Sequence, residues 1–185
     1  MDGQDREQMQ RIAGGDEAAL RALFARHATR TFRYVLRLVG TEAVAEEVTN
    51  EAFLELWRHA GDYRGKSTVS TWLIAIARNK AFSRLRKRQD APLHEGVAEA
   101  RPDPADNPEV AAAKRSKAEA MRACMGRLSE AHREIIDLVY YHEKSVAEAS
   151  EILGIPENTV KTRMFHARKQ LSGILREAGI DRGGP

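Results

Sequence analysis

The sequence predicts an all-α protein in which two small helical domains are joined by a flexible, proline- and acid-rich linker. Through two long blocks, apolar residues recur at intervals of three and four, the period of one helix face, and neither block shows the alternation of a strand. Between the blocks, residues 91–112 contain four of the six prolines and five acids against one arginine, which is typical of an exposed linker. The predicted segments are a tail at 1–15, a helical domain at 16–90, the linker at 91–112, a second helical domain at 113–178 and a tail at 179–185.

The composition is that of a soluble globular protein, with 31% charged and 42% hydrophobic residues in a chain of 185. No apolar run approaches the roughly 20 residues of a membrane-spanning helix, and the polar first residues lack a secretory pattern. We therefore expect a cytosolic protein without direct membrane insertion. The lone Cys124 excludes an internal disulfide and a cysteine zinc cluster, and we expect it to act as a small apolar residue in a helix.

In the first block, acids and bases are segregated onto successive helices. Five glutamates and no Lys or Arg occur between Thr41 and Trp57, where the apolar spacing predicts a helix with an acidic outer face. The helix that begins near Thr71 carries six Lys or Arg residues and no acid as far as Gln89, so it is a candidate for binding a phosphate backbone. The alternative for either helix is a solvated face of unbalanced charge.

Between these helices, residues 61–70 predict a loop, because they contain two glycines and several hydroxyl groups beside Tyr63. An unstacked nucleic-acid base requires hydrogen bonds at its edge and an aromatic or apolar wall, which this loop and the nearby Trp72 can supply. The basic helix that follows supplies cations for a separated strand. The alternative is that the indole of Trp72 packs in the protein core at the start of a helix.

A helix-turn-helix pattern extends from Ser145 to about Arg176 in the second block. Ser145 and Glu148 form a capping box that begins the first helix, and Gly154 lies where a left-handed residue would end it. Pro156 can open the next helix but cannot extend the previous one. An ordinary helical hairpin with a solvated basic face is the alternative.

The second helix of this pattern divides its residues between two faces. Intervals of four, three and four predict a buried face made of Val160, Met164, Ala167 and Leu171. The opposite side combines cations, a hydroxyl, an aromatic ring and an imidazole, a mixture suited to the major groove of DNA. These residues are Lys161, Thr162, Phe165, His166 and Lys169.

In this order, the segments resemble a bacterial extracytoplasmic-function (ECF) sigma factor, an RNA polymerase specificity subunit that keeps only regions two and four of the sigma-70 family. Residues 45–57 resemble the polymerase-binding helix of region two, and residues 70–81 resemble the helix beside its minus-ten recognition loop. Residues 128–171 resemble region four. The resemblance implies a region-two helical bundle and a region-four helix-turn-helix, and it covers nearly everything outside the linker and tails.

The resemblance implies three groups of site residues. The group that docks on the clamp helices of the polymerase largest subunit is Glu47, Asn50, Glu51, Phe53 and Trp57. The group that captures a flipped base of the minus-ten element and lies near its strands is Tyr63, Arg64, Lys66, Ser67, Trp72, Arg78, Asn79, Lys80 and Arg84. The group that faces the minus-thirty-five element, its phosphates or the polymerase flap is Lys161, Thr162, Arg163, Phe165, His166, Arg168 and Lys169.

Two positions depart from the family pattern. Asn50 replaces the glutamine most usual there, and His166 stands where arginine is frequent. An imidazole is mostly uncharged at neutral pH, so this replacement weakens a phosphate contact. The implied partners are core RNA polymerase, promoter DNA and an anti-sigma factor that holds the protein inactive.

No cofactor and no enzymatic activity are expected, because the six histidines form no zincin pair and the chain lacks a phosphate-cradling glycine loop or a nucleophile elbow. The competing interpretation is a stand-alone helix-turn-helix regulator of the two-component output type, which residues 128–171 also resemble. That class predicts a separate sensing domain, whereas the first block shows neither strand-helix alternation nor a phospho-acceptor pattern. A third interpretation, a decoy for an inhibitor, is disfavoured because both predicted DNA faces keep their basic residues.

Overall fold

A computed structural model describes residues 2–89 and 119–180, and within these ranges it contains helices and turns but no strand. The predicted all-α fold is confirmed. The chain divides into two compact units. In the described ranges, no helix is both long enough and apolar enough to cross a membrane. The predicted linker at 91–112 and the final residues 181–185 lie outside the described residues.

The N-terminal unit is a bundle of α-helices. Its elements are α1 (Asp2–Ala13), α2 (Glu17–Val39), α3 (Glu42–His59), a 3-10 turn (Ala60–Asp62) and α4 (Val69–Gln89). The helices α2, α3 and α4 pack against one another, and α1 lies against α2 and the 3-10 turn. Within α3, Val48, Ala52 and Leu56 recur at the spacing of one helix face, and all three are fully buried.

The N-terminal segment is a packed helix, so the prediction of a tail at residues 1–15 was wrong. Met9 and Ile12 of α1 are 1% and 2% exposed. Asp5 Oδ2 in α1 lies 2.9 Å from His27 Nε2 in α2, and both residues are buried. Because part of the buried stripe of α1 is polar, its apolar periodicity is too weak to predict a packed helix.

Side chains and a glycine set the two ends of α2. The Asp16 carboxylate accepts hydrogen bonds from the amides of Ala18 and Ala19 at 2.9 and 3.1 Å, which begins the helix. The Ala19 amide and the Arg11 guanidinium hold the pKa of the Asp16 carboxyl below its usual range. Gly40 ends the helix with a φ of 75°, a conformation that favours glycine.

The C-terminal part of the described chain is also helical. Its elements are α5 (residues 119–126), α6 (Glu130–Ile136), a π-helical turn (Asp137–Tyr141), α7 (Val146–Leu153) and α8 (Glu157–Glu177). The helices α6 and α8 pack against each other. Cys124 in α5 is 3% exposed, which confirms its predicted place as a small apolar residue in a helix.

The predicted helix, turn and helix are present at α7 and α8. The capping box forms in both directions: the Glu148 amide donates to Ser145 Oγ at 3.2 Å, and the Ser145 amide donates to Glu148 Oε2 at 3.0 Å. Gly154 follows α7 with a φ of 65°, and Pro156 immediately precedes the first residue of α8. Local chemistry therefore sets the start of α7, the turn and the start of α8.

Candidate functional site

The helix α8 separates a buried face from an exposed one, as its sequence predicted. Val160, Met164 and Ala167 are buried. Leu171 was expected to continue this face but is only half-buried, and Ile174 is buried instead. On the other side, Arg163 is half-buried. The exposed residues of the predicted minus-thirty-five group are Lys161, Thr162, Phe165, His166, Arg168 and Lys169.

Phe165 provides an apolar contact surface on this exposed face. Its side chain is 58% exposed, which is unusual for phenylalanine in a folded domain. The imidazole of His166 lies edge-on to the phenyl ring, with 5.4 Å between the ring centroids. Thr162 Oγ1 donates to the carbonyl of Asn158 at 2.9 Å, so its oxygen can still accept a hydrogen bond. An exposed ring beside hydrogen-bonding groups can contact base edges and thymine methyl groups in a major groove.

The cations of α8 are not neutralised by carboxylates in the described part of the chain. Among those residues, no ion pair involves Lys161, Arg168 or Lys169. By contrast, the nearby Arg127 pairs with Glu177 at 2.6 Å. The positive charge of α8 is therefore available to phosphate groups.

The loop that joins the 3-10 turn to α4 is anchored at both ends by side-chain hydrogen bonds. Tyr63 Oη donates to the carbonyl of Ser67 at 2.6 Å. The Tyr63 ring also packs on the indole of Trp72, with 5.3 Å between centroids. Thr68 Oγ1 accepts from the amide of Thr71 at 3.2 Å and so caps the start of α4. Tyr63 and Trp72 are both half-buried, so each ring supports the loop and still reaches its surface.

The other residues of the predicted minus-ten group lie on this loop and along α4. Arg64 and Lys66 are exposed and form no ion pair with described residues. Asn79 is exposed, and the Arg78 guanidinium lies over the ring of Phe82, 4.6 Å from its centroid. Consecutive helical residues point about 100° apart, so the α4 members of the group occupy more than one face.

Two cations predicted to lie near the minus-ten strands are paired with the acidic helix. Lys80 Nζ lies 3.2 Å from Glu55 Oε2. The Arg84 guanidinium pairs with Glu51 and, at 3.1 Å, with Glu47. The pairs follow one another in opposite order along α3 and α4, so the two helices run antiparallel. The charges that the sequence segregates onto separate helices are thus partly neutralised inside the bundle.

These ion pairs shift the pKa values of their members. The hydrogen bond from Lys80 lowers the pKa of the Glu55 carboxyl, and the hydrogen bond to Glu51 raises the pKa of the Arg84 guanidinium. Each shift favours the charged form. Because the groups are partly exposed to water, the pairs add only modestly to stability.

The predicted polymerase-docking residues divide between surface and core. Glu47 and Asn50 are exposed, and Trp57 is half-buried. Phe53 is 3% exposed and packs on Phe24 of α2, with 4.7 Å between ring centroids. A buried ring can support a docking surface but does not form one, so a direct contact by Phe53 is not compatible with this structure.

Leu54 is a surface residue that the sequence analysis missed. Its side chain is 53% exposed, and that of Phe24 is 39% exposed. On α3, Leu54 follows Asn50 by four residues and precedes Trp57 by three, so the three side chains share one face. The available signal was an apolar residue outside the buried stripe of α3.

Comparison with known families agrees with this arrangement. The family model for Sigma-70 region 2 matches residues 23–91, and the model for Sigma-70, region 4 matches residues 118–171. ECF RNA polymerase sigma factor SigL of Mycobacterium tuberculosis is 33% identical over 184 residues, which cover 94% of this chain and 100% of SigL. The chain belongs to the ECF RNA polymerase sigma factors. SigK of a Mycobacterium species is 31% identical, with 90% of this sigma factor and 88% of SigK covered.

Solved structures share the fold of this ECF sigma factor. CnrH, in complex with the cytosolic domain of CnrY, is 23% identical with a TM-score of 0.69, over 94% of this chain and 98% of CnrH. The sigma factor RpoE, in complex with the anti-sigma factor NepR from Bartonella quintana, is 23% identical with a TM-score of 0.67, over 84% of this chain and 96% of RpoE. The region 2 match begins within α2, so α1 precedes it.

Proposed function

We propose that this sigma factor directs core RNA polymerase to promoters by reading two DNA elements. In this proposal α8 reads the minus-thirty-five element in the major groove. The observation that carries it is the exposed face of α8, where Phe165 stands among cations that have no ion-pair partner in the described chain. Cations bind phosphates and so position the helix on the duplex, whereas an exposed ring can contact base edges and so read the sequence. One helix can therefore do both.

The loop at residues 63–70 captures a flipped base of the minus-ten element. The half-buried rings of Tyr63 and Trp72 support this role, and the exposed Arg64 and Lys66 supply charge for the strand. Opening the duplex costs about 1.4 kcal/mol of stacking per step, and a base held outside the stack offsets part of that cost. Two weak contacts on one chain also raise the effective concentration of each element for its site.

The exposed face of α3 docks on the clamp helices of the polymerase largest subunit, with Leu54 as its apolar anchor. Labelling of a Leu54→Cys variant with a maleimide tests this surface, because the one native cysteine, Cys124, is buried. Core polymerase should slow the labelling of Leu54→Cys. An Ala18→Cys variant, at an exposed position at the start of α2, is the control. If the labelling of Leu54→Cys is unchanged in a complex with core polymerase, the exposed face of α3 is not part of the docking surface.

An anti-sigma factor is the proposed inhibitor. The structural neighbour RpoE was solved in complex with an anti-sigma factor. A partner of that class would inhibit this protein by covering the faces of α3 and α8. We expect such a partner to slow the maleimide labelling of Leu54→Cys in the absence of polymerase. Inhibition of transcription without protection would place the partner on another surface.

The decisive test of the proposed function is reconstituted transcription. Purified protein and bacterial core polymerase are incubated with a pool of promoter fragments, and any run-off products are sequenced. Initiation should depend on both proteins and should fall at least tenfold in a Lys161→Ala, Phe165→Ala variant, because each lost base contact is worth about 1–3 kcal/mol. Arg176→Ala, in the last turn of α8, is the control and should initiate normally. Sequence-specific duplex binding without core binding or initiation would favour the stand-alone regulator instead.

A further inference from the structure

A groove of about 670 Å³ runs along α8, beside α6 and the end of α5. Two histidines line it: His132 of α6, which is half-buried, and His166 of α8, which is exposed. Lys169 lines the same groove and, like His166, belongs to the exposed face of α8 that is proposed to contact DNA. The groove is therefore continuous with the proposed DNA-binding face.

The charge of this groove depends on whether its histidines are protonated. Arg127, which immediately follows α5, pairs with Glu177 of α8 at 2.6 Å, so these two charges cancel. Lys169 forms no ion pair with described residues and leaves one positive charge. Arg133, next to His132 on α6, donates to backbone carbonyls near the end of α5 and does not line the groove. The two imidazoles are the remaining titratable groups of the lining.

The contacts of the two imidazoles are compatible with protonation. His132 Nδ1 lies 2.8 Å from Oε1 of Gln170 on α8. An amide oxygen only accepts hydrogen bonds, so Nδ1 carries the hydrogen and Nε2 takes up the further proton without loss of this contact. His166 contacts the ring of Phe165, and neither imidazole forms an ion pair with a described residue.

We infer that this groove binds phosphates of the promoter backbone together with protons, so that promoter affinity rises as the pH falls through the range in which histidine titrates. His166 and Lys169 contact the phosphates from α8, and His132 contacts them from α6. A phosphate beside an imidazole favours its protonated form, so protons are taken up on binding. The inference rests on the proposed function of α8, to which it adds a contact from α6 and regulation by pH.

The size of the charge change makes this effect measurable. An ordinary imidazole titrates near pH 6.5, so it is about three-quarters protonated at about pH 6 and almost neutral at about pH 8. Protonation of both imidazoles raises the net positive charge of the groove from one to about three. Lysine and arginine stay charged throughout this range and contribute equally at both ends. Continuity with the exposed face of α8 favours DNA as the occupant over an acidic segment of a protein.

The test uses holoenzyme assembled from the full chain and core polymerase, with a duplex fragment that contains the minus-thirty-five element. Fluorescence anisotropy measures affinity at about pH 6 and about pH 8 over a range of salt concentrations. The variants are His132→Gln, His166→Gln and the two combined, because glutamine is polar and does not titrate. His59→Gln is the matched control, since His59 is an exposed histidine of α3 that does not line the groove.

The wild type should bind more tightly at about pH 6 than at about pH 8, by about fivefold for each imidazole. Its slope of log Kobs against log salt concentration should also be steeper at the lower pH, by about one for each imidazole that contacts a phosphate. Each single variant should lose part of both differences, the double variant nearly all of them, and His59→Gln none. His166→Arg is charged at both pH values, so it should bind more tightly than the wild type at about pH 8 and depend less on pH.

Equal pH dependence in the wild type and the double variant would overturn the inference, even if promoter binding is specific. If the double variant does not fold, equal pH dependence in the wild type and His166→Arg would contradict it. Loss of pH dependence from the binding of core polymerase, but not from the binding of DNA by assembled holoenzyme, would also overturn it and assign the groove to a polymerase contact. Failure of the proposed function has a different signature, because the Lys161→Ala, Phe165→Ala variant would then bind the fragment as tightly as the wild type at either pH.

Discussion

The two predicted DNA-binding helices carry similar numbers of cations but use them differently. In α4, Lys80 and Arg84 are paired with glutamates of α3. In α8, Arg168 and Lys169 are exposed and have no ion-pair partner in the described chain. The first arrangement joins two helices of a bundle, whereas the second leaves its charge exposed to solvent.

This difference shows that a run of cations in a sequence does not establish that the charge is available. A phosphate that approaches a paired cation must compete with a carboxylate that is already in place. A phosphate that approaches an unpaired cation displaces only water and counterions. We therefore expect the contribution of α4 to DNA binding to come from cations that form no ion pair with described residues, such as the exposed Arg86 and Lys87.

The largest expected effect is that of replacing Arg168 and Lys169 with alanine. Each unpaired cation can neutralise one phosphate, so the double variant should reduce the slope of log Kobs against log salt concentration by about two. Affinity of the holoenzyme for its promoter should fall by roughly tenfold or more at low salt. Anisotropy titrations over a range of salt concentrations measure both quantities.

Arg84→Ala is the counterpart in the same assay. Because its guanidinium is already paired, this variant should leave the salt slope unchanged. A reduction of the slope by about one would mean that Arg84 exchanges its glutamates for a phosphate on binding. The distinction between paired and unpaired cations would then be wrong for α4.

Arg84→Ala should instead affect stability. The change leaves Glu47 and Glu51, one helical turn apart, without their shared cation, so the free energy of unfolding should fall by about 1 kcal/mol or less. Urea unfolding measures this difference. Combining it with Glu51→Gln gives a double-mutant cycle, in which we expect a coupling of roughly 0.5 kcal/mol. A coupling of zero would show that the ion pair is incidental. Lys87→Ala removes an exposed cation that forms no ion pair within residues 2–89 and 119–180, and it should change stability by no more than about 0.5 kcal/mol.

The local features of this protein could be predicted from its sequence. The capping box of Ser145 and Glu148, the left-handed Gly154 and the two faces of α8 all depend on residues a few positions apart. Such patterns are set by the backbone geometry of one or two turns. The predicted order of helix, turn and helix follows directly from them.

The missed features depend on contacts between helices. Phe53 was assigned to a docking surface, but its burial is set by how α2 packs on α3. The packing of α1 rests partly on the buried pair of Asp5 and His27, which are 22 residues apart. One long-range signal was present, since glutamates of α3 and cations of α4 both recur every four residues, as ridges that can face each other. Only the packing of α3 against α4 shows that the glutamates and the cations face each other.

The smallest expected effect concerns the pair of Lys80 and Glu55. The hydrogen bond from Lys80 lowers the pKa of the Glu55 carboxyl from its ordinary value of 4.5. A lowered pKa in the folded state stabilises the fold fully above the ordinary value, and this stabilisation is lost as the pH falls through the folded-state pKa.

Lys80→Met should therefore return the pKa of Glu55 toward its ordinary value, as measured by NMR titration of the carboxyl group. Its Tm should lie below that of the wild type near neutral pH, and the difference should shrink as the pH falls below 4.5. A difference in Tm that stays constant over this range would indicate that the alkyl chain of Lys80, and not its charge, supports the contact between α3 and α4. Lys87→Met controls for the loss of a lysine from the same helix and should leave the titration of Glu55 unchanged.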